Sequence, residues 1–279
     1  MQDGTASKPT ILIVSYGRPD LLRACLESLI RFASGCSICV YDNLSGSSDE
    51  ISVLATEFPA VAWHFGSSNI GFAAAVNHLA SSVEGDFLLV NPDAELIADI
   101  GDFLRCAADT PRASCVAPGN LSEDRYWDVA HRPNKLGRSL VSHAGYSRKL
   151  RGRKISELYP DVPKTGVGYL SGALLYIKSS AWAEVGGFDE DFFLYSEEVD
   201  WQLRASHAGF ESYFFDSIKF QHTAQGTVVN SVAGLSRSAH LLRNSQYLYF
   251  RKHNGRIVAY LFKTGLWLLD TMQRSKRGV

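Results

Sequence analysis

Short apolar runs alternate with amphipathic stretches through the first hundred residues. Thr10 to Ser15 (TILIVS) is apolar and rich in β-branched residues, and Gly17 and Pro19 end it, which predicts a buried parallel strand followed by a loop. Apolar positions at helical spacing then predict a helix over Leu21–Phe32 with Asp20 as its N-cap. The alternation goes on with a strand at Ser37–Tyr41, a helix over 49–57 and a strand near Val61–Phe65. A helix opened by Ser68–Gly71 runs through Ala80, and a strand follows at Phe87–Val90. Strands and helices alternating at this spacing imply an α/β fold, a doubly wound and mostly parallel sheet flanked by helices. Ligands of such sheets lie beyond the carboxyl ends of the strands. Asp42 and Asp93 both fall at predicted strand ends, which points them into one crevice unless they act only as caps or turn formers.

The pattern changes after Asp93. A helix is expected over Ile100–Ala108 and a short strand at Ala113–Ala117. Val167–Ile177 (VGYLSGALLYI) is apolar but interrupted by Ser171 and Gly172, and glycine inside a strand marks a close approach of backbone or ligand. Strands are expected at Glu211–Phe215 and Ile218–His222, and helix from Ser236 to Asp270 with a break at His253–Asn254–Gly255. Past the break, Leu261, Leu266, Trp267 and Leu268 stand among few charges, and the sequence then turns basic (RSKRG). This segment either docks on the core or lies on acidic lipid with its basic flanks. The expected organisation is one domain over 1–235 and a C-terminal helical extension over 236–279. Within the domain, a donor half covers about 10–130, an insertion 131–165 and an acceptor and catalytic half about 165–235.

One stretch concentrates chemistry. GGFDEDFFLYSEEVDWQLR, Gly186 to Arg204, sets Glu197, Glu198 and Asp200 behind the aromatic run Phe192, Phe193 and Tyr195. Acids this close repel one another when ionised, and the cost rises where water is excluded. A solvated helix start could carry the same acids for dipole reasons alone.

Charge adds a second asymmetry. Residues 1–130 hold 7 Lys/Arg against 17 Asp/Glu, and residues 131–279 hold 21 against 12. Eight basic residues from Arg132 to Lys154 precede the first acid of that half, Glu157. They form either a solvated basic loop or a surface for phosphate groups or an anionic membrane. Five cysteines, odd in number and unpatterned, read as reduced thiols, and the lone Cys36–Cys39 pair has no second pair for a metal. MQDGTASKPT has neither an apolar core nor a basic leader, and no run reaches the length needed to span a bilayer. A cytoplasmic chain is therefore expected, with peripheral contact to the inner face of the membrane left open. No GxGxxG and no GxxxxGK[ST] occurs, so dinucleotide and P-loop phosphate binding are not indicated, and no feature calls for nucleic acid.

Six separated motifs together resemble one family. VSYGRPDLL (14–22), VYDNLSGSSDE (40–50), NIGFAAAVNHL (69–79), LLVNPDAEL (88–96), the long stretch 168–215 and FQHTAQGT (220–227) are similar, in order and spacing, to the family-2 inverting glycosyltransferases of the GT-A type. Within that family the sequence resembles the rhamnosyltransferase-like branch. The resemblance implies that Ser15, Tyr16 and Arg18 cradle the nucleotide base and that Asp42 contacts the base or ribose. It lays Asn69, Gly71 and Phe72 along the nucleotide and its diphosphate. Asn91-Pro92-Asp93 takes the DxD position, so that Asp93, with His222, holds a divalent Mg²⁺ or Mn²⁺. Glu198 corresponds to the catalytic base, with Glu197 and Asp200 beside it, and Gly172, Trp201 and Arg204 are expected on the acceptor side.

The departures are Asn91 in place of the first DxD acid and Glu-Glu where the family carries Glu-Asp. The second leaves the base as Glu198, or Glu197 in a changed register. His222 has a plainer reading as a satisfied histidine at a strand end, and Arg204 is spaced either to pair with Asp200 or to reach a phosphate. The implied donor is dTDP-L-rhamnose, with UDP-linked sugars open, and the implied acceptor a glycan or polyprenyl-diphosphate-linked saccharide. The competing reading is a non-catalytic nucleotide-sugar-binding module on the same fold.

Overall fold

The computed structural model describes residues 8–120, 130–131, 139–140, 169–222 and 232–277, so most of the expected insertion lies outside the described residues. The first half follows the hydrophobic pattern. Strands β1 (Thr10–Ser15), β2 (Ile38–Asp42), β3 (Ala62–Phe65) and β4 (Phe87–Val90) alternate with helices α1 (Pro19–Phe32), α2 (Ser48–Glu57) and α3 (Phe72–Ala80). They pair in parallel in the spatial order β3-β2-β1-β4. The central strands β1 and β4 are buried on both faces, which is why they read as unbroken apolar runs. At α1 the expectation needs correcting. Arg18, left-handed at φ 56°, is the N-cap, and Pro19 opens the helix, where its missing N–H costs nothing. Asp20 lies inside the first turn and pairs with Arg18 at 2.7 Å.

The second half completes an eight-stranded sheet. Its elements are β5 (Ala94–Leu96), α4 (Gly101–Asp109), β6 (Ala113–Asn120), β7 (Ala130–His131), β8 (Tyr169–Leu170) and β9 (Leu174–Ile177). After these come α5 (Ser179–Val185), α6 (Glu197–His207), β10 (Glu211–His222) and α7 (Val232–Arg277). The full order is β3-β2-β1-β4-β9-β6-β10-β5, and β7 and β8 form a separate pair. Strand β9 runs antiparallel to both β4 and β6, while β10 is parallel to β6. The two strands expected at 211–222 are one, with a register shift between Phe215 and Lys219. Strand β5 is too short to show a period in sequence. It crosses to the far edge and pairs antiparallel with β10, Ala94 opposite His222.

Two apolar clusters hold these elements. The larger one fills both sides of the sheet. The smaller one joins Phe192 and Val199 to Tyr249, Phe250, Ala259, Phe262 and Leu266 of α7. Gly255 breaks α7 where the sequence predicted, at φ 85° and ψ 168°, a backbone region that is essentially glycine-only. The break lets both halves of α7 contribute to one cluster. Phe262 is fully buried there. Phe262→Ala is expected to lower unfolding stability by about 3–5 kcal/mol in urea titrations, through lost burial plus the cavity left behind.

Candidate active site

A cavity of about 380 Å³ opens at the carboxyl ends of the central strands. One wall belongs to the first half of the chain. Tyr16, Asn69, Gly71 and Phe72 line it, as do Asn91 and Asp93. The Asn69–Phe72 segment is fixed by Asn43, whose amide donates to the Gly71 carbonyl (3.0 Å) and accepts from the Ile70 N–H (2.9 Å). Gly71 is required here, because its φ is 86° and a Cβ would meet the Phe193 carbonyl oxygen at 2.7 Å. The Phe72 N–H donates to that same oxygen at 2.8 Å. The segment is thereby locked onto the loop that carries the acids.

Ser15 and Asp42 are register partners on β1 and β2, both almost fully buried just behind this wall. Asp42 accepts a 2.6 Å hydrogen bond from Ser48 through Oδ2. Its Oδ1 and the Ser15 Oγ are buried with no partner among the described residues, and burial raises the Asp42 carboxyl above its usual range. Arg18 is turned to Asp20 instead of lining the cavity.

Asp93 and His222 meet at the cavity, with His222 Nε2 3.1 Å from Asp93 Oδ1 and 3.4 Å from the Asn91 amide. The register of β5 on β10 creates this contact across 129 positions of sequence. His222 Nδ1 is buried without a partner among the described residues. No group of three or more His, Cys, Asp or Glu side chains forms a complete metal cage among them. A carboxylate oxygen and an imidazole nitrogen side by side suit a cation such as Mn²⁺ that takes its remaining ligands from phosphate and water.

The opposite wall is the start of α6. Tyr195 (φ 72°) and Ser196 (φ 70°) are both left-handed, a costly conformation for two successive non-glycine residues. Hydrogen bonds hold the turn from several sides. Ser245 donates to the Leu194 carbonyl at 2.6 Å, Phe72 binds Phe193, and the Asp200 N–H reaches Ser196 at 2.9 Å. The turn delivers Glu197 and Glu198 to the cavity. One carboxylate oxygen of each is buried with no partner among the described residues. Loss of hydration raises both carboxyls, and for Glu197 the neighbouring Glu198 charge adds to the rise. Glu198 is pushed up to about 7, backbone N–H groups at the helix start opposing the rise.

Gly172 also lines the cavity, though an added Cβ would meet only Leu89 at 3.9 Å, so space does not require glycine there. Besides Ser15, Arg18 and Asp42, three further expected site residues do not line it. Asp200 is fully buried behind the acid pair and bonded by Arg204 Nε (2.8 Å), Lys252 Nζ (2.7 Å) and His253 Nε2 (2.7 Å). Arg204 also caps the carbonyls of Val185 and Gly187. Trp201 is fully buried against Trp182 and Phe188, its indole N–H on the Gly186 carbonyl. They hold α6 in place and touch nothing in the cavity. Sequence reasoning missed Arg237, Ser238 and Leu241 of α7, which close the cavity. No local signal marks them, because only tertiary packing brings α7 to this edge. Phe193 and Tyr195 of the aromatic run before the acids also line the cavity and were not among the expected site residues.

The sheet and its flanking helices have the GT-A fold, and comparison with known proteins agrees. Residues 10–170 match the family described as Glycosyl transferase family 2, and the chain belongs to that family. It is 26% identical over 269 residues to an N-acetylglucosaminyl-diphospho-decaprenol L-rhamnosyltransferase of Mycobacterium tuberculosis, covering 88% of this chain and 85% of that one. It is 25% identical over 226 residues to the rhamnosyltransferase WbbL of Escherichia coli, covering 76% and 83%. In fold it is similar to GalNAc-T7, solved with UDP, GalNAc and Mn²⁺ (TM-score 0.57, 12% identity, 79% of this chain and 44% of that one). It is also similar to S. aureus TarS (TM-score 0.53, 11% identity, 87% and 43%). The chain thus spans less than half the length of those two solved chains.

The raised acids have a consequence for stability. The folded state keeps protons that the unfolded chain releases near its ordinary glutamate pKa of about 4.3. The stability they contribute is present below that pH and is lost as pH rises through the folded values. Glu197→Gln is expected to flatten the decline between about pH 5 and 8 in urea titrations. A decline as steep as in the parent would mean that other groups set it.

Proposed function

We propose that the protein transfers a sugar, with inversion, from a nucleotide-diphosphate donor to a hydroxyl of a cell-envelope glycan or polyprenyl-diphosphate-linked saccharide. The donor proposed is dTDP-L-rhamnose, on the strength of the two rhamnosyltransferase relatives. One observation carries the reading. A carboxylate–imidazole pair and two adjacent carboxyl groups, each with a buried oxygen unpartnered among the described residues, stand on opposite walls of a single cavity.

The roles follow from that arrangement. Ser15 and Asp42, buried just behind the first wall, would back the base or ribose site. Tyr16, Asn69, Gly71 and Phe72 flank the nucleotide along that wall. Asp93 and His222 would hold the divalent cation, with Asn91 beside them, and the cation supplies positive charge against the departing diphosphate. Arg237, exposed at the cavity edge, adds a second positive charge toward the same phosphates. Glu198 accepts the proton of the attacking acceptor hydroxyl, and a carboxyl raised to about 7 is matched to that task near neutrality. Glu197 keeps its own proton and spares the site a second negative charge. A polyprenyl-linked acceptor implies peripheral contact with a membrane surface.

Calorimetric titration with dTDP and UDP, each with and without Mn²⁺, tests the first wall. Metal-dependent binding of dTDP in preference to UDP is expected. Asp93→Ala should abolish that binding and transfer together. Glu198→Gln should keep binding and lower kcat by about 100-fold or more. In the parent enzyme kcat/KM should fall as pH drops below about 7, where Glu198 is protonated. Equal loss of nucleotide binding in both variants would overturn the role assignments.

A further inference from the structure

The part of α7 beyond Gly255 carries two apolar faces, and only one of them is docked. Ala259, Phe262 and Leu266 are buried against the Phe192–Val199–Phe250 cluster. Ile257, Tyr260, Leu261, Trp267, Leu268 and Met272 are 50–78% exposed. At 100° per residue these six fall within an arc about 140° wide, opposite the docked residues. A helix with one such face too many has an unfilled partner.

We propose that this outer face lies on an anionic membrane surface, with α7 in the plane of the interface. Charge selects that occupant. From Arg251 to Arg277 the sequence holds seven Lys/Arg and a single acid, Asp270, which is already paired with Arg243. Arg256 and Lys263, both exposed, sit at helical positions bordering the apolar arc beside Trp267. Arg274, Lys276 and Arg277 follow at the end of the helix. Cations beside Trp and Tyr at the edge of an apolar stripe match the headgroup layer, where both ring types settle. No helix among the described residues is long and apolar enough to cross a membrane, so the helix lies on the surface and does not span it. A second copy of the chain is the poorer occupant, since a two-fold contact would set one basic face against its equal. The docked face and the bonds from Lys252 and His253 to Asp200 fix the helix against α6. The membrane would therefore stand about one helix diameter, ~10 Å, from the cluster behind the acid pair. The inference deepens the functional reading by giving its lipid-linked acceptor a surface, and it does not depend on which sugar is moved.

The test needs no turnover. The full chain is sedimented with vesicles of phosphatidylcholine alone and of phosphatidylcholine with phosphatidylglycerol, at low and at physiological salt. The double variant Leu261→Glu/Trp267→Glu is compared with Ile30→Glu, an exposed apolar position on α1. Expected is binding to the anionic vesicles that weakens with salt. It should fall at least about tenfold in the double variant and stay unchanged in Ile30→Glu, with thermal melting preserved in both. In the parent, brominated lipid should quench part of the tryptophan emission, and Trp267→Phe should remove that part. No binding to anionic vesicles at either salt would overturn the proposal, as would equal binding by the double variant. A dimer in light scattering that the double variant splits would assign the face to a second copy. Loss of vesicle binding with nucleotide binding intact, or the reverse, separates failure of this inference from failure of the functional reading.

Discussion

Two carboxyl groups held side by side in a cavity wall, each with a buried oxygen that no other group among the described residues satisfies, cannot arise from local preference. Glu197 and Glu198 are kept there by a turn that is itself unfavourable, Tyr195 and Ser196 both being left-handed. The rest of the structure supplies the restraint. Gly71 is pressed against Phe193 from the wall opposite, and Ser245 of α7 holds the Leu194 carbonyl from the other side. The energy stored in the turn and in the desolvated acids is offset by the apolar cluster that Phe192 and Val199 share with α7. The strain therefore comes with a carboxyl that burial raises to about 7.

Asp200 shows how the third acid of the same helical turn meets the opposite fate. It points away from the cavity and gathers Arg204, Lys252 and His253, so its charge is fully compensated in the interior. An unpaired carboxylate at that depth would cost several kcal/mol. Pairing it also ties α7 to α6, and α7 in turn closes the cavity with Arg237, Ser238 and Leu241. A single helix thus supports the acid pair from behind, completes the cavity wall and leaves a second apolar face outward.

The other wall depends on an unusual strand path. After β4 the chain turns at Pro92–Asp93 and contributes three residues to the far edge of the sheet. Pairing Ala94 with His222 sets Asp93 beside the imidazole. Asp93 and His222 form no closed cage among the described residues, an arrangement that suits a cation taking its remaining ligands from elsewhere.

Periodicity in the sequence determined the first half of the fold, because buried parallel strands and amphipathic helices each leave a repeating apolar pattern. It also marked Asp93, His222 and the Glu197–Glu198 pair through the motifs around them. It placed the break in α7 at Gly255, a residue whose backbone freedom is intrinsic. It could not reveal that β9 runs antiparallel, that β5 jumps to the edge, or that Asp200, Trp201 and Arg204 face inward. Strand direction and edge pairing are contacts between distant segments, and a helix start presents three acids in nearly identical local sequence whichever way each one points. Only packing of α7 against α6 decided which acids line the cavity and which one is paired behind it. Burial and pairing are properties of the assembled core, which no stretch of the chain carries by itself.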